Sequence, residues 1–204
     1  MTTFYTVGHS NHTPDTFVGL LRLHHITAIA DVRSAPYSRF APQFNKESLG
    51  SLLGKQGVAY VFMGNHLGAR PNDPMCYRNG AIDFARLCQT DYFQEGLDRV
   101  RKGAGRFNLA LMCTEKDPIQ CHRMILVCRH LRAKETIIKH ILEDGELEDN
   151  RDSERRLMDA LHIATTDFFK TAEDLVEEAY DRQGERIAYH EDEEARPARD
   201  LAHA

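Results

Sequence analysis

Short apolar runs that end in polar residues alternate with segments of helical period, and this alternation constrains the fold more than any other feature of the chain. Phe4 to Gly8, Ala28 to Val32, Val58 to Gly64, Asn108 to Cys113 and Thr136 to Leu142 read as strands. Several are apolar on both faces, as in Ile29, Ala30 and Val32 or Leu109 to Met112. Strands buried on both sides and separated by helices predict an α/β fold: a mostly parallel sheet of about five strands covered by helices. Thr13 followed by Pro14 starts the first helix, and Asn45 starts the second, with Leu49, Leu52 and Leu53 on its apolar face. A third helical pattern runs from Ile82 to Lys102 with a break near Thr90. Asp117, Pro118 and Gln120 resemble a capping box and predict that a fourth helix starts there.

Amphipathic stretches around Arg155 to Ile163 and Phe168 to Tyr180 predict a helical C-terminal extension. The expected organisation is an α/β domain over residues 1–162, the extension over 163–189 and an acidic, disordered tail over 190–204. Charge divides the chain in the same sense. Through Leu142 there are 18 basic and 11 acidic residues, a balance of +7; the remainder has 8 basic and 20 acidic, a balance of −12. A cationic body suits an anionic partner, either a small molecule or nucleic acid. No stretch approaches the roughly 20 apolar residues of a membrane span, so no membrane partner is expected. Five cysteines, an odd number in a chain of this size, predict reduced thiols and a cytoplasmic location.

Ligands of open α/β sheets bind outside the carboxyl ends of the strands. Those ends carry His9 and Ser10, Asp31 and Arg33, Asn65 and His66, Cys113 to Lys116, and His140, which the fold would gather on one edge. His9 is a candidate acid or base, or a residue that orders its loop. Asp31 and Arg33 share a face, and they form either a structural ion pair or an arginine that meets an anion while the aspartate orients it. Two long connections add Arg39, Tyr37, Phe40 and Phe44, then His66, Arg70, Tyr77 and Arg78. Such loops suit a flat anionic ligand, although Phe40 and Phe44 serve equally well as core plugs.

The segment from Cys113 to Arg123 is the densest in chemistry. A phosphatase or rhodanese loop is disfavoured because position 119, six residues after Cys113, is isoleucine and not arginine. Cys121, Ile125 and Cys128 follow helical spacing as a buried stripe, which leaves Cys113 as the better pocket thiol. Arg123 near a helix N-terminus would strengthen an anion site. No Cys-x-x-Cys pair is present, so no metal ligand set and no cofactor are assigned.

Taken in order, Tyr5 to Ser10, Asp31 to Arg33 with Pro36 and Arg39, Gln43 to Asn45, Leu67-Gly68 with Arg70, Cys113 to Arg123 and His140 to Gly145 resemble the bacterial and archaeal family catalogued as domain of unknown function 488. The resemblance covers roughly residues 4–160. It implies an α/β domain with signature positions at His9, Asp31, Arg33, Asn45, Cys113, Glu115, Cys121, His122 and Arg123. Ala69 departs from it, since similar proteins often have a second glycine there. The residues themselves predict an enzyme, a hydrolase or transferase, for a phosphate-bearing ligand such as a nucleotide or nucleic-acid fragment. His9, Asp31, Cys113 and Glu115 are the catalytic candidates, and Ser10, Arg33, Arg39, Asn45, Arg70, Lys116, His122 and Arg123 the ligand-binding ones. The alternatives are a non-enzymatic nucleic-acid-binding module and a thiol- or metal-dependent protein using Cys113, Cys121 and His122.

Overall fold

The computed structural model describes residues 1–190. The acidic tail, beyond its first residue, lies outside them. In chain order the elements are β1 (Thr2–Gly8), α1 (Pro14–Leu23), β2 (Ala28–Asp31), α2 (Lys46–Lys55), β3 (Ala59–Phe62), α3 (Gly64–Leu67), β4 (Tyr77–Arg78), β5 (Ala81–Ile82), α4 (Phe84–Leu87), α5 (Asp91–Ala104), β6 (Leu109–Cys113), a π-helical segment (Arg123–Cys128) continuing as α6 (Arg129–Leu131), β7 (Thr136–Ile141), β8 (Leu147–Asp149), α7 (Asn150–Ala160) and α8 (Ala172–Arg186). Six strands form one sheet in the order β3-β2-β6-β1-β7-β8, parallel except for β8, which runs antiparallel to β7.

Alternation along the strands divides the core into two layers. Leu109, Leu111 and Cys113 of β6 join Ala28, Ala30 and Val32 under Phe93, Leu97 and Val100 of α5 and Leu126 and Val127 of the π segment. Ala110 and Met112 join Val7 and Ile29 under Phe17 and Leu21 of α1 and Leu49 and Leu53 of α2. A third cluster seats α7 and α8 on the domain, through Leu157, Leu175 and Tyr180 packed with Ile119, Met124 and Ile125.

Several expectations are corrected. The sheet gains a sixth strand, because Leu147–Asp149 pairs with Lys139–Ile141 although its three residues carry only one apolar side chain. The second long connection folds back as the β4–β5 ribbon, whose Asn79-Gly80 turn has both φ values positive, 53° and 77°, the backbone that a two-residue hairpin requires. Asp117 caps a single 3₁₀ turn over Pro118–Gln120, after which Cys121 is extended (φ −131°, ψ 138°), and the helix proper begins only beyond it. The last two helices start earlier or later than expected, at Asn150 and Ala172, because Asp149 caps one and a Thr171–Asp174 capping box the other. Phe168 and Phe169 stand exposed ahead of α8, outside its apolar face. Among the described residues no helix is long and apolar enough to cross a membrane, and all five cysteines are free and buried.

Candidate functional site

A cavity of 660 Å³ opens at the carboxyl ends of β1, β2 and β6, and His9, Ser10, Arg33, Arg70, Cys113, Glu115 and His122 line it. A larger cavity of 720 Å³ sits by the first residues of β7. Its Arg132 is already paired with Glu154 at 3.1 Å and with Glu173, which makes it an ion-pair crevice at the wrong end of the strands.

Backbone geometry brings β1 and β6 together past their ends. His9 N donates to Cys113 O at 2.9 Å and Ser10 N to Thr114 O at 2.7 Å. Gly8 permits this approach, since a Cβ there would stand 2.0 Å from Glu115 O. Ser10 lies in the left-handed region (φ 42°) and lines the cavity, with its Oγ donating to Asn11 Oδ1 at 3.3 Å.

One wall is a closed ionic network. Arg33 Nε donates to Asp31 Oδ1 at 2.9 Å and Arg33 Nη2 to Asp31 Oδ2 at 2.6 Å, a bidentate pair in which both residues are buried. Tyr60 Oη donates to Asp31 Oδ2 at 2.7 Å, and Phe44 O accepts from Arg33 Nη2 at 2.9 Å. Arg33 Nη1 donates to His9 Nε2 at 3.1 Å, while His9 Nδ1 donates to Ser10 O at 2.9 Å. The His9 ring therefore carries its proton on Nδ1 and lies stacked on Phe44, with centroids 4.5 Å apart. Burial first, and then the positive charge of Arg33, holds His9 down to about 4, so it is neutral at pH 7. These bonds occupy four of the five guanidinium N–H groups, and the residue faces the cavity.

The other wall is a thiol cluster. Cys113 Sγ lies 3.6 Å from His122 Nδ1, and His122 Nε2 donates to Val32 O at 3.0 Å. Cys121 Sγ lies 2.9 Å from Glu115 Oε2. Burial pushes Glu115 up and opposes ionisation of both thiols. For Cys121 the hydrogen bond from Cys113 and the charges of Arg123 and His122 outweigh burial and hold it low, whereas Cys113 is pushed up. A thiolate and a carboxylate do not stand 2.9 Å apart without a proton, so Cys121 and Glu115 share one.

The remaining candidates lie elsewhere. Arg123 is wholly buried, and it ties the loop after β6 by donating to Glu115 O, to Lys116 O at 2.9 Å and to Thr6 Oγ1 at 3.2 Å. Asn45 Oδ1 accepts from Ser38 N at 2.7 Å and shapes the first long connection. Lys116 pairs with Glu143 at 2.8 Å on the surface, and Arg39 lies over the exposed ring of Phe40. The expected convergence of all five strand ends is corrected: His140 is buried between Thr6 and Asn150, and His66 lies beside Arg99 of α5. Phe44 is a core plug, but Phe40 is 84% exposed at the cavity rim.

Asn11, Gln43, Gln120 and the segment Ile187 to Tyr189 also line the cavity. Sequence reasoning missed them. Tyr189 comes from beyond α8 to stack under Arg70, 4.2 Å from guanidinium to ring, and no local pattern announces a contact across more than a hundred residues. The Glu154, Glu173, Glu177 and Asp181 carboxylates of the C-terminal segment meanwhile pair with Arg129 and Arg132 of the body, so part of the acidic excess is already engaged by arginines.

No curated protein and no solved structure matches the chain. Ala69 accommodates the position expected for glycine with a negative φ, in a loop where Gly68 approaches Ser34. The family model described as domain of unknown function DUF488 matches residues 13–129, a span that includes Asp31, Arg33 and the whole Cys113 to Arg123 segment, and the chain belongs to that family.

Proposed function

We propose that the cavity at the ends of β1, β2 and β6 binds a phosphate-bearing small ligand, a nucleotide or nucleic-acid fragment, and acts on it as an enzyme of the hydrolase or transferase kind. The observation that carries this reading is the Asp31-fixed guanidinium of Arg33, which has one N–H remaining and is held at the cavity wall. A prepositioned fork meets a phosphate oxygen without losing side-chain entropy on binding. Arg70 adds a second cation, and Ser10, Asn11, Gln43 and Gln120 add neutral hydrogen-bonding groups. The rings of Tyr37, Phe40 and Tyr189 at the same cavity suit a base.

His9 acts here as a positioning residue, since both of its nitrogens are engaged and it stays neutral. Glu115 is the acid or base: its carboxyl lines the cavity and burial raises its affinity for a proton above that of an ordinary carboxylate. Pairing of Arg129 and Arg132 with carboxylates reduces the cationic face available to a long nucleic acid, which favours a small ligand over the binding-module alternative. Reduced thiols fit a cytoplasmic setting.

A thermal-shift panel of nucleotides, short oligonucleotides and simple phosphoesters tests the reading. At least one should raise the melting temperature of the wild type. The rise should vanish in Arg33→Lys, which keeps the charge and loses the fork. A panel without any shift in the wild type would overturn it.

A further inference from the structure

We propose that Cys113, Cys121 and His122 form a binding site for one thiophilic divalent cation, zinc by the chemistry of its donors, in the floor of the cavity. The ligand atoms of the three residues all lie within 4.8 Å of one another. Two donors at the bond lengths usual for sulfur and imidazole, on a tetrahedral ion, stand about 3.6 Å apart. The separation of Cys113 Sγ from His122 Nδ1 is 3.6 Å.

The surroundings also match what a bound ion needs. His122 Nε2 donates to Val32 O at 3.0 Å, which leaves Nδ1 as the ring nitrogen that faces Cys113 and would meet the ion. A backbone carbonyl that fixes the outer nitrogen is the usual support of a metal-binding imidazole. Two sulfurs and one imidazole nitrogen select zinc or a comparable borderline cation over magnesium or calcium. The extended backbone at Cys121 has a consequence here, because it interrupts the helix and turns Sγ toward Glu115. Cys113, Glu115 and His122 line the cavity, so the fourth position of the ion faces it, with the Glu115 carboxylate alongside.

The ion takes the place of the proton that Cys121 Sγ shares with Glu115 Oε2, of the Cys113 thiol proton and of any proton on His122 Nδ1; two thiolates form and all of these protons leave to solvent. The proposal goes beyond the phosphate reading and stands without it, because its test uses no organic ligand.

Cobalt(II) and zinc(II) are the probes, added to the full chain freed of metal by chelation. Cobalt should bind at one equivalent with thiolate-to-metal charge-transfer absorption and the intense visible bands of a tetrahedral site. Zinc should displace it. Cys113→Ser and Cys121→Ser should each abolish the charge-transfer bands or reduce their intensity by about half, whereas Cys88→Ser, at a buried thiol outside the cluster, should leave them unchanged. X-ray absorption of the zinc-loaded wild type should count two sulfur neighbours and one imidazole nitrogen, a readout that does not depend on any variant folding. Absence of charge-transfer bands, or a zinc ion surrounded by oxygen and nitrogen only, would overturn the site whatever the thermal-shift panel shows.

Discussion

The two walls of the cavity use polar side chains in opposite ways. On the β1–β2 wall, Asp31, Arg33, His9 and Tyr60 spend almost every donor and acceptor on one another. On the β6 wall, Cys113, Cys121, His122 and Glu115 are held by contacts in which a proton is the only thing between soft or anionic donors. A closed network resists change, because each buried member depends on the rest. A cluster bridged by protons can exchange them for the cation proposed above. The cavity therefore joins a closed clamp to a floor of thiols and a carboxyl, and the same sheet edge supports both.

The comparison breaks most readily at Asp31. Asp31→Asn leaves the buried guanidinium without its counter-charge and should cost about 3–5 kcal/mol in a denaturant unfolding experiment. A loss below about 1 kcal/mol, the range of exposed ion pairs, would show that the clamp is not closed.

Next in size is pH. His9 and the buried His140 are both held down to about 4, chiefly by burial, from an ordinary value of 6.5. At these two histidines the unfolded chain thus binds more protons than the folded one between those values, while His122, which its neighbours hold up, works in the opposite sense. Stability should be fully present above about pH 6.5 and fall as the pH drops toward 4, by up to about 3 kcal/mol for each histidine. Unfolding curves collected across that window check it, and His140→Gln should remove the share that does not belong to the clamp.

Tyr60→Phe deletes the 2.7 Å hydrogen bond to Asp31 and should cost about 1.5–3 kcal/mol, the range for a bond to a charged acceptor. The smallest effect is expected on the other wall. Cys121→Ser keeps a hydroxyl donor for Glu115 and should change the stability of the metal-free protein by about 1 kcal/mol or less. If Cys121→Ser cost as much as Asp31→Asn, the two walls would be equally rigid and the contrast would fail.

Much of the fold was legible because its signals are local. Thr13-Pro14, the break at Thr90 and the doubly apolar runs of β2 and β6 each declare themselves within a few residues, and each appears where expected. The fourth helix misled because Asp117-Pro118 has the chemistry of a cap, and a cap does serve there, but only for one 3₁₀ turn. β8 escaped notice because its pairing with β7 is decided by neighbours and not by its own three residues. Asn79-Gly80 did carry a hairpin signal, but each of the strands it joins is only two residues long, too short to show an alternating pattern.

The same division runs through the site. Sequence alone determined the α/β class, the strand-end location and most of the groups on both walls, since period and turn chemistry are properties of short segments and the sheet places their ends together. It also placed Cys113 and His122 in one segment. Tertiary structure alone decided which way each side chain spends its bonds. His9 became a neutral prop for Arg33, Arg123 turned inward to tie a loop, and Tyr189 arrived from beyond α8 to complete the rim. Those outcomes depend on distances between residues far apart in the chain and on the cost of burying a charge, and neither quantity is written in any local stretch.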